Sequence, residues 1–360
     1  MLDMINTTPL KAASAILFDQ DGHNLAVAVA KATFSIPFNG AHPALSDGQV
    51  DVFSMEQVEG EPGTARMLYP ADLVVGKKNT DIGVHGTVFS PNNVPVTKLK
   101  AAVRVGALYK EIRVTGNRTW TKSLFRPGYR MTEPETFVRM PLSSNRMFGG
   151  TATTKKGEKI PFEENPTGTG FVLDGDQIGG TRLPNIEDPL HLITSYRKTY
   201  TPATLGFSLP GSPRRRSYAG TYDQAWKMNR RPLFPSDMDL LFFNCAQSEL
   251  MANGYLSGGE RVTLANLSPE GITTFTLPVW DIAFTFKRNG TLITRKAAIH
   301  TLVIEPDLNR FYMTWYASEE CGKSPRDTEW IEVNMTGDPF TLEDNSQYLR
   351  RSSCPKQTYV

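Results

Sequence analysis

The feature that most constrains the fold is a strict alternation of side chains late in the chain. Every second residue from Trp280 to Phe286 is large and apolar, and Asn289-Gly290 follows shortly afterwards. A period of two places these side chains on one face of a β-strand, and Asn-Gly suits the positive φ angles of a type I′ turn. We therefore predict a β-hairpin whose returning strand lies in residues 291–299.

Similar patterns recur at both ends of the chain. Residues 13–36 contain an alternating segment, an Asp-Gly turn and a longer apolar run, which predict a hairpin that leads into a central strand. Residues 98–115 alternate in two phases that change at Gly106, which predicts a bulge or a tight turn. Residues 300–317 predict another hairpin, so both ends of the chain are predicted to be β.

The middle of the chain has a different composition, because residues 141–235 hold 11 glycines and 10 prolines. Such a density favours long, ordered loops over regular elements. Two short helices are predicted within this region. Thr221 is expected to cap one that runs through Trp226, and Ser236 is expected to cap one that runs through Phe243.

The predicted fold class is mainly β, with two β-sandwich-like halves joined by a long Gly/Pro-rich loop region that carries one or two short helices. The predicted domains are an N-terminal β half at 1–140, an irregular connector at 141–249, and a C-terminal β half with a tail at 250–360. The two halves can form one continuous domain around a shared core.

Charge is distributed unevenly along a chain whose formal net charge is +2. Residues 98–130 hold nine basic residues against Glu111 alone, whereas residues 1–97 and 301–360 are acidic. A basic segment of this kind can meet an anionic partner. The interpretation that we favour is that it pairs with the acidic ends of its own fold, so no nucleic-acid partner is predicted.

The sequence lacks residues at recognisable catalytic or metal-binding spacings. The five histidines are isolated, the Gly-x-Ser-x-Gly elbow is absent, and the three cysteines are far apart. No catalytic, metal-binding or cofactor-binding residue is therefore predicted. No apolar run reaches the roughly 18 residues of a membrane span, and the N-terminus has no basic n-region of a signal peptide. We expect a cytoplasmic protein without membrane insertion.

Short, rigid motifs follow one another in a fixed order along most of the chain. They occupy residues 27–34, 80–86, 103–120, 140–150, 165–171, 183–187, 220–226, 232–244, 258–260 and 267–278. Taken in this order, they resemble the bacterial domain-of-unknown-function family 2169, from about Val27 to about Trp315. The chain departs from the family pattern at Ser144 and Asn145, where the family prefers Tyr and Glu.

Members of this family accompany type VI secretion effectors, so the resemblance implies a cytoplasmic adaptor or chaperone and not an enzyme. Such a protein binds an effector that carries a PAAR or PAAR-like tip domain and helps to load it onto the VgrG spike. The absence of a catalytic constellation and the long loops, which can present a binding surface, agree with this expectation.

An adaptor of this kind needs a large, moderately polar interface in which aromatic and arginine side chains supply most of the affinity. The candidate partner-binding residues are Trp120, Phe125, Arg126, Tyr129, Arg130, Arg214, Arg215, Arg216 and Tyr218. A second set is expected to hold the loops together, because buried polar loop residues usually satisfy backbone groups. This structural set consists of Asn185, Glu187, Tyr222, Asp223, Trp226, Asp237 and Asp239.

Two other functional classes remain open. A carbohydrate-binding or carbohydrate-active β-sandwich is suggested by the aromatic content of 10%, and it predicts two carboxylates about 5–10 Å apart in a cleft lined by Trp or Tyr. A nucleic-acid-binding module built on residues 98–130 predicts a continuous basic groove. Neutralisation of Lys98, Arg104 and Arg113 by the acidic ends would exclude that module.

Overall fold

The protein is described by a computed structural model, and its architecture is mainly β, as the sequence predicts. The described residues are 2–37, 42–60, 66–123, 127–154, 156–173, 178–209 and 211–337. The strands before the connector are β1 (Asp3–Asn6), β2 (Lys11–Phe18), β3 (Asn24–Ser35), β4 (Gln57–Glu59), β5 (Arg66–Tyr69), β6 (Asp81–Val84), β7 (Thr87–Phe89), β8 (Lys98–Val105), β9 (Leu108–Thr115), β10 (Trp120–Lys122), β11 (Tyr129–Met131) and β12 (Arg139–Pro141).

Regular elements within the connector are short. Its strands are β13 (Phe148–Gly149), β14 (Thr151–Thr153), β15 (Lys159–Pro161), β16 (Thr169–Gly170) and β17 (Ile186–Glu187), and its helices are α1 (Pro213–Arg216) and α2 (Gln224–Asn229). The strands after it are β18 (Arg261–Ala265), β19 (Ile272–Thr276), β20 (Trp280–Arg288), β21 (Thr291–Lys296), β22 (Ala298–Glu305), β23 (Arg310–Glu320) and β24 (Thr328–Gly337). Short 3-10 turns lie at Pro91–Asn93, Ser144–Arg146, Leu240–Phe243, Ser248–Leu250, Pro306–Leu308 and Pro325–Asp327. No helix within the described ranges is long and apolar enough to cross a bilayer.

The hairpins predicted from local sequence patterns are present. β2 pairs with β3, β20 with β21, and β22 with β23, all antiparallel. The phase change between β8 and β9 is a tight turn, in which Gly106 has a φ of 55°. Asn289 and Gly290 both adopt positive φ between β20 and β21, as the Asn-Gly pair predicts.

Three larger sheets mix strands from the two ends of the chain. Their strand orders are β2-β3-β23-β22-β6, β17-β9-β8-β18-β19 and β1-β24-β20-β21. Strands from 1–140 therefore hydrogen-bond to strands from 250–337 in all three sheets. The predicted boundaries do not separate two β units, because the N- and C-terminal strands are interleaved.

A single large hydrophobic cluster draws side chains from all three of these sheets. The run of residues near position 30 is almost continuously apolar because it forms β3, a strand that is buried on both faces. The alanines at even positions from 26 to 32 enter the main cluster with Phe34, whereas Val27 and Val29 pack in a small cluster on the opposite face. Residues of the connector, together with Trp120, form a further cluster of their own.

Candidate partner-binding groove

A groove runs along residues 198–209 of the connector and past Arg214. It consists of two neighbouring cavities, of about 180 Å³ and about 640 Å³. Thr201, Pro202, Arg214 and Gln247 line both cavities, so the two are adjacent.

The smaller cavity combines apolar walls with polar groups that the fold does not use. Ser212 is only 8% exposed, and its Oγ has no hydrogen-bond partner among the described residues. Ser212 occupies the N-cap position of α1 without making the usual side-chain cap bond. The Nε2 atom of His85 is likewise buried without a partner in the described part of the chain. Both residues line the cavity.

Arg214 is the basic side chain shared by the two cavities. Its guanidinium donates a hydrogen bond to the carbonyl of Ala246, and it pairs with no carboxylate of the described ranges. Burial lowers the pKa of Arg214, and the charge of Asp81 opposes that shift. A guanidinium has five N–H donors and stays protonated in proteins, so Arg214 keeps donors available to a ligand.

A buried ion pair fixes the loop that holds Arg214. The carboxylate of Asp81 accepts hydrogen bonds from the backbone N–H groups of Cys245 (2.8 Å) and Ala246 (3.1 Å) and from the side chain of Asn244 (3.1 Å). It also pairs with Lys77 at 2.8 Å, and both side chains are fully buried. Asp81 thus positions Ala246, whose carbonyl in turn receives Arg214.

A second buried ion pair lies in the same sheet, between Lys31 of β3 and Asp72. The Lys31 ammonium sits 3.9 Å from the ring centroid of Phe53 and donates to the carbonyl of Asp51 at 3.0 Å. Burial lowers the pKa of Lys31, and the Asp72 carboxylate opposes that shift. Sequence reasoning missed both pairs, although a lysine within the apolar run of β3 is a signal for a buried partner.

The larger cavity contains three carboxylates, each paired with a base. The pairs are Glu111 with Lys100 (2.7 Å), Asp188 with His191 (2.8 Å) and Glu249 with Lys110 (2.7 Å). The bond from Lys100 lowers the pKa of Glu111. Burial raises the pKa values of Asp188 and Glu249, but hydrogen bonds, including those from the paired bases, outweigh burial and leave both lowered.

Among the described residues, the basic segment 98–130 forms no ion pair with the acidic ends of the chain. Within the described ranges its ion-pair partners are Glu111, Glu187 and Glu249, none of which belongs to 1–97 or 301–360. The described ion pairs therefore do not support the interpretation that we favoured from sequence. The paired glutamates lie on or beside the connector and β9, where the strand pairing brings them next to the basic residues.

Two of the candidate partner-binding residues are core residues. Trp120 is 3% exposed and packs edge-to-face on Tyr196, which also contacts Tyr129. Arg215 is 2% exposed and donates to the carbonyls of Phe242 (2.8 Å) and Ser208 (3.1 Å). Their side chains are used by the protein's own packing and are not presented to a partner.

The other candidates occupy different parts of the surface. Arg130 is exposed, Arg216 is exposed and pairs with Glu163, and Tyr218 is half-buried. Phe125 and Arg126 lie outside the described residues. Among the described candidates, Arg214 is the one that lines the groove.

Residues of the structural set make bonds that join loops. The side chain of Asn185 donates to the carbonyl of Thr115 (3.0 Å), and Glu187 pairs with Arg118 (3.0 Å) while it accepts from the N–H of Ile193 (3.1 Å). Asn185 and Glu187 are both buried. They tie the connector to the end of β9.

Both helix caps differ from the predicted ones. Asp223, not Thr221, caps α2 by accepting a hydrogen bond from the N–H of Trp226 at 2.8 Å. Thr221 instead donates through its N–H and hydroxyl to Asp237, at 2.9 and 2.6 Å. Asp239, not Ser236, caps the 3-10 turn Leu240–Phe243. In each case the acidic residue next to the first turn forms the cap, because its carboxylate reaches the free N–H groups directly.

The remaining members of the set have simpler surroundings. Tyr222 is 55% exposed and packs edge-to-face on Trp226 with ring centroids 4.7 Å apart. Trp226 donates from its indole N–H to the carbonyl of Leu233 at 2.8 Å. Asp239 also pairs with Lys78 at 2.7 Å, near the surface.

Two other groups of side chains have potentially reactive atoms. One is a cluster at the surface, and the other consists of two buried cysteines. Asp19, His23 and Glu320 bring potential ligand atoms within 4.8 Å of one another at the surface, where exposed acids are common without a metal. Cys245 and Cys321 are free and buried, and burial raises the pKa of Cys245 to about 11. The Cys245 thiol is therefore protonated at neutral pH and a poor nucleophile.

Comparison with known proteins places the chain in a family. No curated protein and no solved structure matches it. The family model "Uncharacterized protein conserved in bacteria (DUF2169)" matches residues 21–316, from the turn before β3 to near the end of β23. This range contains every residue that lines the two cavities. The chain therefore belongs to the DUF2169 family of proteins conserved in bacteria.

Proposed function

We propose that this protein is a non-catalytic, cytoplasmic adaptor of type VI secretion. In this role it binds an effector that carries a PAAR or PAAR-like tip domain and helps to load it onto the VgrG spike. The observation that carries the proposal is membership in the DUF2169 family over residues 21–316, together with the ordered motifs within that range.

The groove supports a binding role. Its two cavities share lining residues along the connector, and Arg214 lines both with no carboxylate partner among the described residues. Arginine is among the residues that most often dominate the affinity of protein interfaces. Two adjacent cavities of this size suit a segment of a protein partner.

The chemistry of the groove supports binding over catalysis. Ser212 Oγ and His85 Nε2 both lack partners in the described ranges, so they do not form the hydrogen-bonded nucleophile and base of a hydrolase. A carbohydrate-active enzyme, the alternative from the sequence, needs one acid with a raised pKa beside an ionised carboxylate. Burial raises the pKa of Glu164 in the smaller cavity. The carboxylates with lowered pKa values line the larger cavity instead, and each is held by a paired base.

Co-expression tests the proposal directly. We would express a tagged form of this chain together with the PAAR-bearing protein of the neighbouring locus, purify it through the tag, and measure the complex by light scattering. The expected result is co-purification in a defined ratio, with the client insoluble or degraded when it is expressed alone. A client that is soluble by itself and never co-purifies, across a range of salt concentrations, would contradict the adaptor role. Glycan binding would then be the next property to screen.

A further inference from the structure

We propose that the smaller cavity of the groove binds a carboxylate carried next to an apolar side chain, as at the C-terminus of a polypeptide. The choice of a polypeptide rests on the proposed function. The chemistry of the ligand, a carboxylate beside an apolar group, rests on the cavity alone.

The polar part of the ligand follows from two groups, a basic side chain without a carboxylate partner among the described residues and a buried hydroxyl without any partner there. Arg214 supplies a positive charge with no carboxylate partner in the described part of the chain. Ser212 supplies a hydroxyl that is more than nine-tenths buried and forms no hydrogen bond with the described residues. The Nε2 atom of His85 also has no partner among the described residues, but the ring donates to the backbone of Leu68 through its other nitrogen and burial lowers its pKa. This Nε2 is therefore an acceptor, and it does not contribute to binding a carboxylate. Leaving such groups unpaired is costly, and a carboxylate can accept from a guanidinium and a hydroxyl together.

The apolar part follows from the other walls. Met67, Val84, Phe207 and Leu209 line the same cavity, whose volume is about 180 Å³. An apolar cavity of about 150 Å³ is large enough to hold benzene. The smaller cavity therefore has room for one apolar side chain beside the carboxylate.

The position of the larger cavity favours the end of a chain as the ligand. The last residue would occupy the smaller cavity, and the preceding residues would leave past Thr201 and Pro202 into the space of about 640 Å³. Besides His191, that space is lined by three basic and three acidic residues, so the larger cavity imposes little net charge on the peptide; they are Lys110, Lys198, Arg214, Glu111, Asp188 and Glu249.

One lining residue opposes an anion. Glu164 belongs to the smaller cavity, and burial raises its pKa. Its charge at neutral pH would weaken the attraction of Arg214 for a carboxylate. Removal of that charge should therefore strengthen binding if the assignment is correct.

Calorimetric titration of the purified full-length protein with short peptides tests the inference. The probe is acetyl-Gly-Gly-Leu with a free carboxylate, and the comparisons are its C-terminal amide, acetyl-Gly-Gly-Gly with a free carboxylate, and acetyl-leucine. The acid should bind about tenfold or more tightly than the amide, because a charge-assisted hydrogen-bond pair is lost in the amide. The glycine peptide should also bind more weakly. Equal binding of acid and amide, or no binding of the acid, overturns the inference.

Variants show whether the cavity is the site. Arg214→Gln and Ser212→Ala should each weaken binding of the acid, and Glu164→Gln should strengthen it. Ser212→Ala removes a hydroxyl that has no partner in the described protein, so the variant should fold normally even if Arg214→Gln does not. The matched control is Arg216→Gln, two residues from Arg214, exposed and outside both cavities. Unchanged binding in both Ser212→Ala and Glu164→Gln would place the ligand elsewhere and overturn the assignment.

The peptide titration tests the cavity inference and the client purification tests the adaptor role, so each proposal can be contradicted without the other. If the client co-purifies but no peptide acid binds, the cavity inference is wrong and the adaptor role stands. If the peptide acid binds but no client co-purifies, the adaptor role is wrong and the carboxylate site stands. If acetyl-leucine binds as tightly as the tripeptide, the ligand is a small carboxylate and the assignment of a polypeptide C-terminus is wrong.

Discussion

At the scale of single residues, two neighbouring lysines form ion pairs that we expect to contribute very differently to the free energy of unfolding. Lys77 and Asp81 are fully buried, whereas the Lys78 side chain is 49% exposed and that of its partner Asp239 is 36% exposed. We expect Lys77→Met to lower the free energy of unfolding by about 3–5 kcal/mol, because it leaves a buried carboxylate without its cation. The matched change Lys78→Met should cost about 0–1 kcal/mol. Urea titration of both variants measures the difference, and equal losses would contradict the larger contribution expected of the buried pair.

A buried histidine makes stability depend on pH. His300 is 0% exposed and stacks on Tyr316, and burial lowers its pKa well below the ordinary value, with Lys77 and Lys31 adding to the shift. The unfolded chain therefore binds a proton below about pH 6.5 while the folded chain does not. Stability is present above that pH and is lost as the pH falls, by up to about 1.4 kcal/mol per pH unit for one proton.

The variant His300→Gln should show a shallower loss of stability between pH 6.5 and pH 5 than the unaltered protein. The loss should not vanish, since burial also lowers the pKa of His85. Urea titrations at pH 5, 6 and 8 provide the comparison. Parallel pH profiles for the two proteins would mean that His300 is not the group that titrates.

At the scale of elements, local sequence patterns predict the hairpins, because residues that are close in sequence determine them. The alternation in β20 and the Asn289-Gly290 turn predict a hairpin because strand and turn lie within one short segment. The order of strands in the sheets is not predictable in this way, since β6 pairs with β22 and β1 with β24 through contacts far apart in sequence. The sequence did not predict the helix caps correctly, because several polar residues near each helix start can act as the cap.

The candidate site also depends on contacts between residues that are far apart in sequence, which local patterns do not predict. The three consecutive arginines at 214–216 are equivalent in the sequence, yet one lines the groove, one is buried and one is exposed. Their difference depends on Ala246, Phe242 and Glu163, which come close only in the folded chain. Sequence reasoning could therefore name Arg214 as a candidate but could not separate it from its neighbours.

Contact between β6 and the connector positions one wall of the smaller cavity. A Cβ atom at Gly83 would lie within 3.0 Å of ring carbons of Phe207, which lines that cavity. We expect Gly83→Ala to displace Phe207 and to lower the free energy of unfolding by about 1–3 kcal/mol, as overpacking does. The control Gly48→Ala, where nothing lies within 4 Å of the added atom, should change stability little. Urea titration measures both, and a neutral Gly83→Ala would show that Phe207 can move freely.

At the scale of the whole molecule, the two ends of the chain build one body and the connector adds the groove. Strands from both ends pair with each other in each of the larger sheets, and the buried pair of Lys77 and Asp81 links β6 to the connector at Ala246. A partner that occupies the groove would therefore contact loops that are anchored in the main core. Such anchoring lowers the conformational entropy lost on binding, since the loop is ordered beforehand.

The most direct test of the account is hydrogen–deuterium exchange of this protein with and without its co-purified client. If the partner binds in the groove, amides of residues 198–209 and 247–249 should become protected in the complex, and Arg214→Gln should reduce that protection while Arg216→Gln leaves it intact. Protection confined to the basic strand β8, with unchanged exchange along the groove, would contradict the account.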